Sequence, residues 1–209
     1  MRSTRTNFLI PFAVWFSLSV AQVACGDYTL TRLGSFTGAN GLYPAAGLTM
    51  DAQGNLYGTT ANGGISGGGT VFEVAVTTHA LTTLANFNIA IGEHPTNGLA
   101  VDAQSNLYGT TSQAGPNGFG SAFKIAAGSH TLTTLANFSA NLFPSVPDRG
   151  YVVVDAQGNL YGTTLGGPSG GGTVYEIAAG SHTLTTLATF NGANGSGPSG
   201  LTLDAQGNL

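Results

Sequence analysis

The chain has 209 residues, 33 of them Gly, with 7% charged and a formal net charge of −4. Soluble domains average about 25% charged residues, yet the hydrophobic share of 42% excludes a disordered chain, which pairs low hydrophobicity with many charges. The basic residues Arg2, Arg5, Arg32, Lys124 and Arg149 form no stripe, and a surface that displaces counterions from phosphates needs clustered Lys and Arg, so no nucleic-acid partner is expected.

The N-terminus opens with "MRSTR", followed by the apolar run Phe8 to Val20 and the small residues Ser19 and Ala21. This is the three-part plan of a secretory signal peptide over residues 1–21. The alternative is a retained membrane helix, but a span needs about 20 apolar residues and Gln22 interrupts this one. Cys25 is the single cysteine, which excludes an intrachain disulfide. Its place just after the apolar run makes it a candidate for lipidation, although Gln22 stands where a lipobox carries an aliphatic residue. The expected location is secreted, extracellular or at the cell surface, with the membrane reached only through such a lipid or through a C-terminal anchor missing from this chain.

The remainder repeats. "DAQGNLYGTT" at Asp51 returns as "DAQSNLYGTT" at Asp102, again at Asp155, and in part at Asp204, at spacings of 51, 53 and 49 residues. Full copies run over 47–87, 98–138 and 151–190, with an orphan outer strand at 28–36 and a truncated copy at 200–209. Each full copy holds four short extended runs rich in Thr, aliphatic and aromatic residues: a ("GLTM"), b ("NLYGTT"), c ("GTVFEVA") and d ("ALTTLANF"). Gly-rich interiors exclude long helices. Four strands at a period of roughly 50 residues predict an all-β fold, a β-propeller-like array of four-stranded antiparallel blades over 28–209. The alternative, a β-solenoid, has shorter coils. Closed propellers need about four blades or more, so three copies plus pieces read as an incomplete ring and a fragment of roughly five to eight blades.

"DAQGN" must reverse the chain between strands a and b. Asp51, Asp102, Asp155 and Asp204 can accept hydrogen bonds from the backbone two residues on, while Gly54, Asn55, Gly158 and Asn159 tolerate positive φ. In copy two Ser105 replaces the Gly, which hands the left-handed position to Asn106. The phrase therefore reads as a structural turn.

No catalytic, metal or cofactor site follows from the motifs. Asp51, Gln53 and Asn55 lack the Gly at position six and the acid at position twelve of a calcium loop. "GGISGGGT" (63–70) lacks the Lys and helix of a phosphate loop. His79, His130 and His182 recur in the c–d turn on separate blades, too far apart to share a zinc whose Zn–N bonds are about 2 Å. The strand a segments carry no charge before the turn Asp. The d–a connections vary in length and, by antiparallel geometry, emerge on the same face as the b–c loops. Loops on a rigid scaffold commonly carry binding, so Glu93, His94, Asp148 and Arg149 in those connections are the candidate ligand-binding residues.

"LYGTTxxGGxxGGGTVFEV", matched at Leu56 to Val74 and Leu160 to Ile177, resembles the Gloeo/Verruco (GloVer) tandem repeat of secreted bacterial proteins. Copy two departs, with Ser121-Ala122-Phe123 for Gly-Thr-Val-Phe and Gly115-Pro116 for the Gly pair. The resemblance implies export, a propeller-like fold and a C-terminal sorting anchor, and it carries no catalytic residues. "GLxxDxxGNLY" is more loosely similar to NHL-type propeller blades. The expected function is a secreted, non-catalytic module for binding or display, with an extracellular glycan or protein as its ligand. The alternatives are a fragment of a propeller lyase or glycosidase whose acids lie in absent blades, and a purely structural spacer.

Overall fold

The computed structural model describes residues 30–44, 46–140 and 151–209. The leader, Cys25, Asp148, Arg149 and the first two residues of the expected orphan strand lie outside them. The chain divides into two compact units, Met1–Thr31 and Arg32–Leu209, and every strand among the described residues belongs to the second. No helix among the described residues is long and apolar enough to cross a membrane.

The three full copies each fold into a four-stranded antiparallel sheet in simple meander order. Blade 1 comprises β1 (Thr49–Met50), β2 (Leu56–Thr60), β3 (Thr70–Val74) and β4 (Leu81–Asn86). Blade 2 comprises β5 (Ala100–Val101), β6 (Leu107–Thr110), β7 (Ser121–Ile125) and β8 (Leu132–Asn137). Blade 3 comprises β9 (Val153–Val154), β10 (Leu160–Thr164), β11 (Thr173–Ile177) and β12 (Leu184–Thr189). The first strands of neighbouring blades approach one another, β1 beside β5 and β5 beside β9, so the blades share an inner edge as in a propeller. Antiparallel meanders of this kind are not solenoid coils.

The core lies between blades. Leu and Tyr of "LY" alternate across strand b: Tyr57, Val71, Ala85 and Phe87 of blade 1 cluster with Leu99, Leu107, Phe123 and Ile125 of blade 2. Tyr108, Ala122 and Phe138 of blade 2 meet Leu160, Tyr175 and Ile177 of blade 3 in the same way. A bulge recurs in every outer strand: Val71 pairs with Ala85 but Phe72 pairs with Thr83, leaving Leu84 as the extra residue. The same shift occurs between β7 and β8 and between β11 and β12. It lets sequence neighbours Leu84 and Ala85 both reach the blade interface, which strict strand alternation forbids.

The Gly of "YGTT" has a packing reason. Gly109 faces Phe123 across the ladder, and a Cβ at Gly109 would stand 2.6 Å from the Phe123 ring. The aromatic side chain thus lies across a bare backbone, and its far side meets the Phe that ends the preceding blade. Phe87 and Phe123 sit 4.8 Å apart, Phe138 and Tyr175 5.2 Å, distances at which tilted and edge-on pairs attract.

Two expected strands differ from their sequence reading. Strand a pairs through only two residues in each blade. Residues 30–36 and 200–209 form no strand, although Phe36 still meets Phe72 at 4.9 Å.

Candidate functional site

Each blade has two ends. One carries the a–b and c–d turns; the other carries the b–c loops and the d–a connections.

At the turn end, one carboxylate organises each reversal. Asp51 Oδ1 accepts from the backbone N–H of Gln53 and Asn55, both at 2.9 Å. Its Oδ2 accepts from Asn55 Nδ2 at 3.0 Å and from the Tyr57 hydroxyl at 2.9 Å. Asp102 and Asp155 make the same four bonds. Asp204 makes the three that its shorter sequence permits. The Asn side chain then turns its own Oδ1 to the neighbouring hairpin: Asn55 accepts from Val76 N, Asn106 from Ala127 N and Asn159 from Ala179 N. One Asp–Asn–Tyr set therefore pins both turns of its blade.

The backbone follows. Gly54 and Gly158 hold φ of 90° and 88°. In copy two Ser105 itself takes the left-handed position at φ 62°, not Asn106 as the sequence suggests. Asn106 keeps a negative φ, and its backbone N–H and side-chain amide both donate to Asp102. His79, His130 and His182 also hold positive φ, between 53° and 56°, at the end of the c–d turn, each on its own hairpin.

These bonds set the protonation states. Burial alone would raise the Asp51, Asp102 and Asp155 carboxyls, but the bonds from Asn, Tyr and backbone N–H outweigh it and hold all three below the usual carboxylate range. Burial, then the bond to its Asp, pushes Tyr108 and Tyr161 up to about 12, and Tyr57 moves the same way. Both shifts move away from pH 7, so there the Asp carboxylate is ionised and the Tyr hydroxyl protonated.

Between these pinned turns the blades leave clefts. The larger, about 680 Å³, lies between blades 2 and 3 and is bordered by Gln104, Tyr108, Lys124, Gln157, Ala179 and His182. Its counterpart between blades 1 and 2 is about 270 Å³ and includes Glu73, Ser105 and His130. The residue opposite the Tyr distinguishes them. Glu73 and Glu176 lie across from Tyr57 and Tyr161, with hydroxyl-to-Oε1 distances of 3.5 and 3.4 Å. Lys124 lies across from Tyr108, its Nζ 5.4 Å from the ring centroid. The side-chain amides of Gln104 and Gln157 are exposed at the cleft edge.

Glu93 and His94 lie at the other end of the blades. Glu93 exchanges backbone bonds with Gln113, 2.8 Å from Glu93 N to Gln113 O and 3.1 Å in return. His94 N–H donates to Gly68 O at 2.9 Å, and its φ is 55°. The d–a connection is thus laced to b–c loops of two blades. Glu93 and His94 are neighbours in one loop and border neither cleft; Asp148 and Arg149 lie outside the described residues. Among the described residues no three His, Cys, Asp or Glu side chains gather closely enough to hold a metal ion. The clefts were invisible to sequence reading because facing blades create them. The exchange of Glu73 and Glu176 for Lys124 at one aligned position was the available signal.

The fold and these repeated turns define a tandem-repeat, propeller-like protein. The model of the Gloeobacter/Verrucomicrobia repeat matches residues 19–152, and the chain belongs to that family. Among curated proteins no sequence matches it. Similar solved structures include a gluconolactonase from Xanthomonas campestris, 18% identical with a TM-score of 0.49 over 76% of this chain and 50% of that one. A luciferin-regenerating enzyme is 16% identical, with a TM-score of 0.42 over 69% and 45%. TolB from Acinetobacter baumannii is 13% identical, with a TM-score of 0.40 over 58% and 27%. The chain spans half or less of the length of each.

Proposed function

We propose that this repeat protein is a secreted, non-catalytic binding module, and that the cleft between blades 2 and 3 takes a glycan. The observation that carries this reading is the cleft itself: about 680 Å³, within the usual size of ligand pockets, roughly 300–1,000 Å³. It is lined by the Asp102 and Asp155 turns, which carry the exposed Gln104 and Gln157, and by Lys124. Amides and one ammonium offer donors and acceptors suited to hydroxyl groups, on a frame that needs no ordering when ligand arrives. The turn carboxylates and tyrosines are committed to each other, which favours binding over proton transfer. Export rests on the basic "MRSTR" and the apolar run to Val20.

Titration calorimetry with a panel of neutral oligosaccharides tests the reading. At least one should bind, and Ala179→Trp, which narrows the cleft from its exposed rim, should abolish that heat without changing the unfolding midpoint. Equal binding by the Trp variant moves the site elsewhere, and no heat from any saccharide leaves the spacer.

A further inference from the structure

Lys124 breaks an otherwise repeated pattern. Strand c places a charged side chain opposite the Tyr of "LY" in every blade, and in blades 1 and 3 it is Glu73 or Glu176. Each Glu reaches toward the Tyr hydroxyl, with Oε1 at 3.5 and 3.4 Å. Lys124 takes that place in blade 2 and lies over the Tyr108 ring instead, its Nζ 5.4 Å from the centroid. Among the described residues its ammonium makes no ion pair and no hydrogen bond. A half-buried group with three donors thus has only a ring face for company.

The two clefts therefore differ in charge as well as in size. Asp51 and Glu73 border the cleft between blades 1 and 2, whereas Asp102, Asp155 and Lys124 border the one between blades 2 and 3. His130 and His182 take matching places in the two. Asp102 and Asp155 oppose an incoming anion, but each carboxylate already accepts four hydrogen bonds, from two backbone N–H groups, an Asn amide and a Tyr hydroxyl. Their charge faces those donors, and that of Lys124 faces the cleft. Negative charge is thus favoured at one point only, with the exposed amides of Gln104 and Gln157 left for neutral hydroxyls.

Building on the glycan reading of the cleft between blades 2 and 3, we propose that it selects an acidic glycan, a largely neutral chain with one uronate whose carboxylate sits against Lys124. The carboxylate supplies the acceptor that the ammonium lacks, and a charge-assisted bond of this kind is stronger than one between neutral groups. Densely charged chains are disfavoured, because further carboxylates would meet Asp102 and Asp155. The cleft between blades 1 and 2 rejects the same sugar, since Glu73 stands where Lys124 would receive it.

Titration calorimetry with xylo-, gluco- and galacto-oligosaccharides that carry a single uronate residue, each beside its methyl ester, provides the test. The ester keeps every hydroxyl and removes only the charge. At least one acid form should bind about tenfold more tightly than its ester, the size of one hydrogen bond to a charged group. That gap should narrow as salt is raised, a wild-type readout that keeps the test open if a variant unfolds. Lys124→Gln should bring acid and ester to equal affinity. Lys124→Glu gives blade 2 the residue that Tyr57 and Tyr161 already face; it should fold, as circular dichroism checks, and prefer the ester. Acid and ester bound alike by the wild type, or a preference that survives in Lys124→Gln, overturns the proposal and leaves the glycan reading standing. So does a failure of every acid form when a neutral saccharide binds. Loss of all binding, neutral and acidic, sinks both.

Discussion

At the turn end of each blade, side chains do the fixing: Asp51 accepts four hydrogen bonds, and Asp102 and Asp155 repeat the set. At the loop end, the d–a connection is held mostly by main-chain bonds, such as Glu93 to Gln113 and His94 to Gly68. The first arrangement demands particular residues and so copies itself in sequence. The second demands only a backbone path, and the side chains of Glu93 and His94 stay free to vary. A rigid end with clefts between blades and an end open to substitution are therefore products of one fold.

The largest expected effect removes the centre of one turn. Asp51→Ala leaves two backbone N–H groups, the Asn55 amide and the Tyr57 hydroxyl without their acceptor, and should cost about 3 kcal/mol, since bonds to charged acceptors are worth roughly 1.5–3 kcal/mol each and part is recovered from water. Urea unfolding reads it directly; a cost below about 1 kcal/mol would show the turn to be held by backbone alone.

Acid and base act on all copies together. The folded carboxyls of Asp51, Asp102 and Asp155 lie below their unfolded value of 3.8. Their contribution is complete above that value and is lost as pH falls through the lower folded one. The tyrosines have the opposite sign. Tyr108 and Tyr161 are raised from 10.0 to about 12, so their contribution is complete below pH 10 and disappears as pH climbs toward 12. Thermal midpoints across pH should be flat between these limits and fall on both sides. Asp51→Ala should blunt the acid limb.

Smaller changes sharpen the contrast. Ser105→Gly makes the second turn match the others and relieves φ 62°; it should stabilise by roughly 1 kcal/mol, the usual cost of a left-handed non-Gly residue. At the loop end Glu93→Ala should change stability by less than about 0.5 kcal/mol, because its bonds to Gln113 are main-chain.

The same contrast explains what could be read from sequence. The blades were legible because Leu56–Tyr57, Gly58 and the Thr pair recur with a strand period and a fixed spacing. The Asp51 turn was legible because side chains build it. Strand a was read too long: at the inner edge only Thr49 and Met50 find partners in β2. The outer-strand bulge at Leu84 left no mark, since it depends on register against β3. Glu93 and His94 drew attention by charge in a variable loop, while Gln104, Lys124 and Gln157 come together only when two blades face each other across a cleft.

That cleft is the centre of the functional account, and spectra of the ¹⁵N-labelled chain during oligosaccharide titration address it most directly. Binding in the cleft should shift the side-chain amides of Gln104 and Gln157 and the backbone amides around Lys124, with Glu93, His94 and Gln113 unmoved. Shifts confined to the loop end would contradict it.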